Sequence, residues 1–351
     1  MSARRQRRPG VVEAATAALL FGGATPFASR LAGSTNPPVL AGLLYLGSGI
    51  VLAASMLIRP SRTEAPLQRG DLAPLAGAIA FGGGLAPLLL VVGLERTTAA
   101  TASLLLNLEV VFTALLAWLV FRDGVTRRVG FGLAAIVGGA LLVSWQPGRI
   151  EAAWGALAIA GACACWALDN NLTQLVSAKD PRQIAMLKGV IAGSCNLTIG
   201  LAIGGALPGV GRTAGAVAVG VFGYGVSLML FVTALRNLGT ARTGAIFAVG
   251  PFVGVVVAIV GFGEPLRWQL VPAGACIALG VWLQLTEHHS HEHRHERLVH
   301  AHRHVHDDGH HDHEHPAGMV VDGPHSHEHV HEAMVHTHEH RPDIHHRHRH
   351  R

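Results

Sequence analysis

Charge is scarce along most of this chain. Asp, Glu, Lys and Arg make up 14% of its 351 residues against 50% apolar ones, and residues 10 to 285 contain no histidine. A soluble domain leaves one face of each helix charged, so stretches without charge on any face exclude water as their solvent. A membrane barrel is excluded too, because it would show alternating segments of about ten residues. The apolar stretches lack HExxH, GxSxG and paired catalytic carboxylates, and no GxxxxGK[ST] string occurs, so neither an intramembrane enzyme nor a phosphate-loop ATPase is supported. Cysteine is also rare. Cys163, Cys165, Cys195 and Cys276 all lie inside apolar stretches, where they read as small buried hydrophobes and not disulfides. The CxC pair Cys163 and Cys165 points to different faces of a helix, which discounts it as a metal site.

What is present is a series of apolar runs, each long enough to cross about 30 Å of hydrocarbon. They fall at about 10–31, 37–58, 71–93, 97–120, 126–145, 151–175, 182–204, 213–235, 240–262 and 267–285. The expected fold is all-α, a polytopic membrane protein of about ten transmembrane helices. Arg4, Arg5, Arg7 and Arg8 precede the first run, which continues for a full span without a convincing cleavage site, so it reads as an uncleaved first helix. With the N-terminus inside, the inner segments carry Arg4, Arg5, Arg7, Arg8, Arg59, Arg62, Arg69, Arg122, Arg127, Arg128, Lys179, Arg182, Arg236 and Arg242. The outer ones carry only Arg30, Arg96, Arg149, Arg212 and Arg267, a bias that places both termini in the cytoplasm and the protein in the inner (plasma) membrane.

The chain repeats itself. A shift of 141 residues superimposes Leu94 on Leu235, Ala100 on Ala241, Phe121 on Phe262, Asp123 on Glu264 and Gly139 on Gly280, and a shift of 142 lays Gly47 on Gly189. The organisation is therefore a basic N-terminus at 1–9, a first five-span repeat at 10–146, a second at 150–285 and a tail at 286–351. An odd number of spans per copy sends the second through the membrane upside down, an architecture in which two halves can rock around a midplane site.

The strings LLLNLEVVFTALLAWLVFRD (104–123) and GYGVSLMLFVTALRNLGTARTGAIFAVGPFVGVVVA (223–258) resemble the two copies of the EamA domain of the drug/metabolite transporter superfamily. The resemblance covers roughly residues 10 to 285. It implies a ten-helix, two-repeat secondary transporter of small organic solutes, commonly an exporter, that does not hydrolyse ATP. One departure stands out. The family often places Pro in the fourth helix of the first repeat, where this chain reads Glu109 then Val110; the second repeat keeps Gly250 and Pro251.

Ionisable groups deep in a bilayer are costly, by about 2.5 kcal/mol or more, and default to functional hypotheses. Glu109 lies roughly 18 Å down its span at 1.5 Å per residue, near the midplane. At that depth its carboxyl suits a coupling proton or a substrate ammonium. Asp169 and Lys188 fall at similar depth on consecutive antiparallel helices, where a salt bridge would offset their desolvation. That pair serves either substrate or helix register. Asn107, Asn171, Gln174, Asn196 and Tyr224 are candidates to line a polar cavity, with Asn107, Asn171 and Tyr224 taken into the substrate and coupling-ion set.

All 24 histidines lie between His288 and His350, interleaved with Asp and Glu. Such sequence has no core, so disorder is expected. Neutral imidazole binds Zn, Ni, Co and Cu, which makes His288, His289, His291, His293, His295, His302, His304, His306, His310, His311, His313, His315, His325, His327, His329 and His331 candidate metal ligands. The tail then buffers or delivers a divalent metal, senses metal or pH, or is a tolerated extension. The leading expectation is export of a small metabolite, drug or amino-acid-like solute by alternating access, with no required cofactor. A divalent metal (Zn, Ni or Co) transporter and a membrane-anchored metal-binding or sensing protein are the alternatives. Expected partners are the lipid bilayer, a small-molecule substrate and divalent metal ions, with a homodimer also admitted and no nucleic acid.

Overall fold

The computed structural model describes residues 10–59, 64–116, 119, 126–145, 150–286, 290–295, 298–304, 325–331 and 334–339, the last four segments by backbone alone. Ten apolar helices follow one another: α1 Val11–Ala32, α2 Pro37–Ile58, α3 Arg69–Leu94, α4 Ala99–Leu116, α5 Arg127–Ser144, α6 Ile150–Val176, α7 Pro181–Ala202, α8 Val210–Thr240, α9 Arg242–Gly261 and α10 Leu270–Leu285. Among the described residues nine are long and apolar enough to cross a membrane, and α10 is a shorter apolar helix of 16 residues. The protein is thus a multi-pass membrane protein.

Local sequence sets the helix ends. Gly10 N donates to Glu13 Oε2 at 3.0 Å, Thr98 Oγ1 accepts from Thr101 N at 3.2 Å, Thr126 Oγ1 accepts from Val129 N at 3.2 Å, and Asp180 Oδ1 accepts from Arg182 N at 2.9 Å. Each satisfies an amide that a helix start leaves unpaired. Pro37 and Pro181 occupy first-turn positions where their missing N–H costs nothing. Gly239, at φ 76°, takes a left-handed conformation that ends α8 against α9. Trp145, Trp154, Trp268 and Trp282 stand exposed near helix ends, the position an amphipathic ring takes at a membrane interface.

The helix pairing reveals the two halves. α1 packs on α8 and α9, and α6, its counterpart in the second half, packs on α3 and α4. Counterparts α2 and α7 pack on each other, as do α5 and α10. The α2–α7 pair is antiparallel, with Gly42 against Leu197 and Gly49 against Gly189 and Val190, so the halves are inverted. A Cβ on Gly49 would lie 2.4 Å from Val190 N, so glycine is what permits that backbone approach.

The 141-residue register reaches further than the last two helices of each half. α3 carries a π-helical turn at Ile79–Leu85 and α8 one at Gly220–Val226, in step by that same shift. α4 and α9 are each interrupted near their middle, at Leu106 and Asn107 and at Ala248 and Val249. There the bonding tightens to Val110 N on Asn107 O at 3.2 Å and Phe252 N on Val249 O at 3.1 Å.

All four cysteines are free. Cys163 is buried and Cys165 partly so, but Cys195 and Cys276 are exposed, which corrects the expectation that all four are buried. An apolar run does not say which of its faces meets lipid, and a thiol is apolar enough to do so. In the tail, β1 Ser290–His295 pairs antiparallel with β4 Met334–Glu339, and β2 Leu298–His304 with β3 His325–His331. Two-stranded ribbons are marginal on their own in water, so these segments add no second core.

Candidate functional site

The charged residues of α4, α6 and α7 meet between the halves. Lys188 Nζ donates to Asp169 Oδ1 at 2.6 Å and Oδ2 at 2.7 Å, and Thr173 Oγ1 donates to Asp169 Oδ1 at 2.8 Å. The Lys188 side chain is 1% exposed and that of Asp169 5%, so water screens neither. Just past the interruption of α4, Glu109 accepts a 2.6 Å hydrogen bond from Asn170 Nδ2. Among the described residues Glu109 has no ion-pair partner. It does sit in the first turn of the helical piece Leu108–Leu116, the positive end of that piece's dipole.

The π turn of α3 supplies the wall behind the ion pair. A π turn shifts the hydrogen-bond ladder and leaves carbonyls for other donors. Gly82 O takes Tyr45 Oη–H at 2.8 Å and Trp166 Nε1–H at 3.1 Å. Asn196 Nδ2 donates to Gly83 O at 3.2 Å and Gly84 O at 3.1 Å. Gly82 also lies against the carboxylate, since a Cβ there would be 1.8 Å from Asp169 Oδ2.

On its other side Glu109 lines a cavity with Phe21, Leu106, Val110, Gly244, Phe247, Ala248 and Pro251, hence between α1, α4 and the interrupted α9. Phe21 is the centre of an aromatic cluster, 5.5 Å from Trp166, 5.7 Å from Tyr224 and 5.3 Å from Phe247 between ring centroids. Tyr45 and Tyr224, the chain's two tyrosines, are themselves 5.3 Å apart.

The sequence candidates divide. Glu109, Asp169, Lys188 and Tyr224 come together. Asn107 is buried beside them but turns its amide to Leu104 O at 3.3 Å, leaving its Oδ1 without a partner in the described structure. Asn171 bonds Ala167 O of its own helix at 2.8 Å and stays out of the cluster. Asn170, Thr173, Tyr45, Trp166 and Phe21 were missed. Tyrosine's rarity in an apolar chain was the available signal for Tyr45. Of the histidine candidates, His288, His289, His306, His310, His311, His313 and His315 lie outside the described residues, and the rest are on the tail strands. Among the described residues no three metal-binding side chains converge.

Polar ties cross both faces. On the N-terminal face Arg236 donates to Ser177 O at 2.8 Å, Lys179 O at 2.5 Å and Glu64 Oε2 at 3.0 Å. On the far face the two oxygens of Glu264 accept from Ala99 N at 3.0 Å and Ala100 N at 3.1 Å, so the loop after α9 caps α4 of the other half. Arg30 donates to Phe262 O at 3.0 Å on that side.

Two inverted helical halves, with interrupted helices and a polar cluster between them, define the class of inverted-repeat membrane transporters. The chain belongs to the EamA-like transporter family, whose model matches residues 8–145 and again 153–286. An uncharacterized transporter of Methanothermobacter thermautotrophicus is 28% identical over 295 residues, covering 78% of this chain and 85% of that protein. A probable 4-amino-4-deoxy-L-arabinose-phosphoundecaprenol flippase subunit ArnE of Pseudomonas fluorescens is 41% identical over 64 residues, 18% of this chain and 56% of that one. A solved crystal structure superposes with a TM-score of 0.62 at 16% identity, covering 80% of this chain and 99% of that one, a likeness of fold alone.

Proposed function

We propose that the protein exports a small organic solute across the plasma membrane by alternating access, with Glu109 taking either the coupling proton or an ammonium group of the solute. Charge balance at the centre carries this reading. Lys188 neutralises Asp169, whereas among the described residues Glu109 has no ion-pair partner and accepts a hydrogen bond from the Asn170 amide. A buried carboxylate without a cation is unfavourable, so a proton or a cationic cargo completes it. Phe21 and Phe247 line the same gap, which in this state has room for no more than about one water, so a solute would enter only as the halves part. The flippase subunit similar over 64 residues is named for a lipid-linked amino sugar, which agrees with an amine as cargo.

Hypothesis test: Glu109→Gln is compared with the unaltered protein in proteoliposomes, over about two pH units around neutrality, with a panel of amino-bearing solutes. The expected result is loss of concentrative transport and of its pH dependence; wild-type flux throughout refutes the assignment. The tail favours a second reading, in which Zn, Ni or Co is the cargo or the sensed signal, and metal flux in the same vesicles separates the two.

A further inference from the structure

On the N-terminal face a strap from the first half, residues 64–71 between α2 and α3, lies across the α6–α7 turn of the second half. Arg236, near the end of α8, pairs with Glu64 at 3.0 Å and donates to Ser177 O at 2.8 Å, and Lys179 pairs with Asp71 at 3.6 Å. Ala65 bridges Lys179 through the backbone, and Arg182 donates to Arg59 O at 2.8 Å. The side chains of the two ion pairs are between 8% and 18% exposed, which shields them from most water but leaves them within its reach. Ser177 follows Asp169 by eight residues and Lys188 follows Asp180 by eight, so the strap lies roughly 12 Å from the buried Asp169–Lys188 pair along both helices. It therefore covers the way from that face to the polar centre.

The far face has no matching clasp among the described residues. Pro37 and Pro181 open α2 and α7, so Thr35 and Asn36 are the counterparts of Lys179 and Asp180. Thr35 Oγ1 and Asn36 Oδ1 are buried there without a partner. By the 141-residue shift Glu64 falls on Gly205, Asp71 on Arg212 and Arg236 on Glu95, whose ion pair is with its neighbour Arg96 at 3.7 Å. The far-face ties made by Glu264 and Arg30 run to backbone groups. We propose that the strap is a one-sided gate, an ionic closure that holds the cargo-free carrier shut on its N-terminal face and opens when Glu64 and Asp71 leave Arg236 and Lys179. All four charges regain water as the strap lifts, so release strands none of them in a dry interior. The gate rests on the alternating-access reading for its part in a cycle, but its closure is measured without any cargo.

The test uses the full chain in lipid nanodiscs, with Cys165→Ala, Cys195→Ala and Cys276→Ala removing the accessible thiols and spin labels on Gln68→Cys and Gln183→Cys, one on each side of the seam. Pulsed dipolar spectroscopy should read mainly a short distance in this background. Glu64→Gln with Asp71→Asn removes both strap charges while keeping a side-chain oxygen at each position. It should add a longer component, raising the open-to-closed ratio by about tenfold for the loss of two such pairs. Glu95→Gln, the counterpart change on the far face, should leave the short distance alone. Lys179→Glu should open the strap by repulsion, and adding Asp71→Lys should close it again, a rescue that damage to the fold would not show. A short distance kept by the Glu64→Gln and Asp71→Asn variant, an equal opening by Glu95→Gln, no rescue by the exchanged pair, or a mainly long distance in the background overturns the gate. Loss of solute flux in Glu109→Gln, or its persistence, leaves these distances unchanged and so bears on the cargo reading alone.

Discussion

Removing one member of the Asp169–Lys188 pair should cost far more than removing both. At 2.6–2.7 Å and an effective dielectric of about 20, the gross attraction is about 6 kcal/mol. Desolvation takes back several kcal/mol per ion, so the intact pair contributes little net stability. Lys188→Met strands a buried carboxylate beside Gly82 and Asp169→Asn strands a buried ammonium, each at about 3–5 kcal/mol. The double variant leaves a neutral amide that Thr173 can still bond and an apolar chain of similar length. At about 2 °C per kcal/mol for a chain of this size, each single variant should melt on the order of 6–10 °C lower in detergent, and the double variant should regain most of that. If the double variant loses the sum of the singles, the two residues act independently and the reading of a mutually neutralising pair is wrong. Flux of the double variant then separates a register pin, which keeps transport, from a substrate contact, which does not.

Three further outcomes follow from the same geometry. Gly82→Ala puts a methyl 1.8 Å from Asp169 Oδ2 and should drive the carboxylate off Lys188, with a melting loss comparable to Lys188→Met; an unchanged melt would refute the close approach. Glu264→Ala removes the acceptor of two α4 amides and should cost about 1–2 kcal/mol in thermal stability, whereas Glu264→Gln should cost less because it keeps one oxygen. Phe21→Ala removes the ring shared by Trp166, Tyr224 and Phe247, with an expected loss of about 3–5 kcal/mol in the same melt and a raised KM for an aromatic amine cargo.

Depth was legible in the sequence and azimuth was not. The length of an apolar run is dictated by bilayer thickness, so spans such as 37–58 and 182–204 reappear as Pro37–Ile58 and Pro181–Ala202. The same counting set Asp169 level with Lys188. Which face of a helix meets which neighbour depends on packing, and adjacent residues differ by about 100°. That is why Asn170 and not Asn171 reaches Glu109, and why Cys195 faces outward. The π turns leave no local compositional mark. Only setting IAFGGGL over GVFGYGV by the 141-residue register exposes them as counterparts.

The π turns of α3 and α8 are matched in position but not in content, with Gly83 in one where Tyr224 stands in the other, and Glu109 falls on Gly250 by the same internal symmetry. If the halves were identical, exchanging their shapes would turn one end state into its mirror at no change in energy, and an empty carrier would spend equal time open to each side. These unequal residues remove that degeneracy. If the protein works by the alternating access proposed above, its unloaded form should rest with one side preferentially open, and the ligand proposed for Glu109 must shift that preference for a cycle to close.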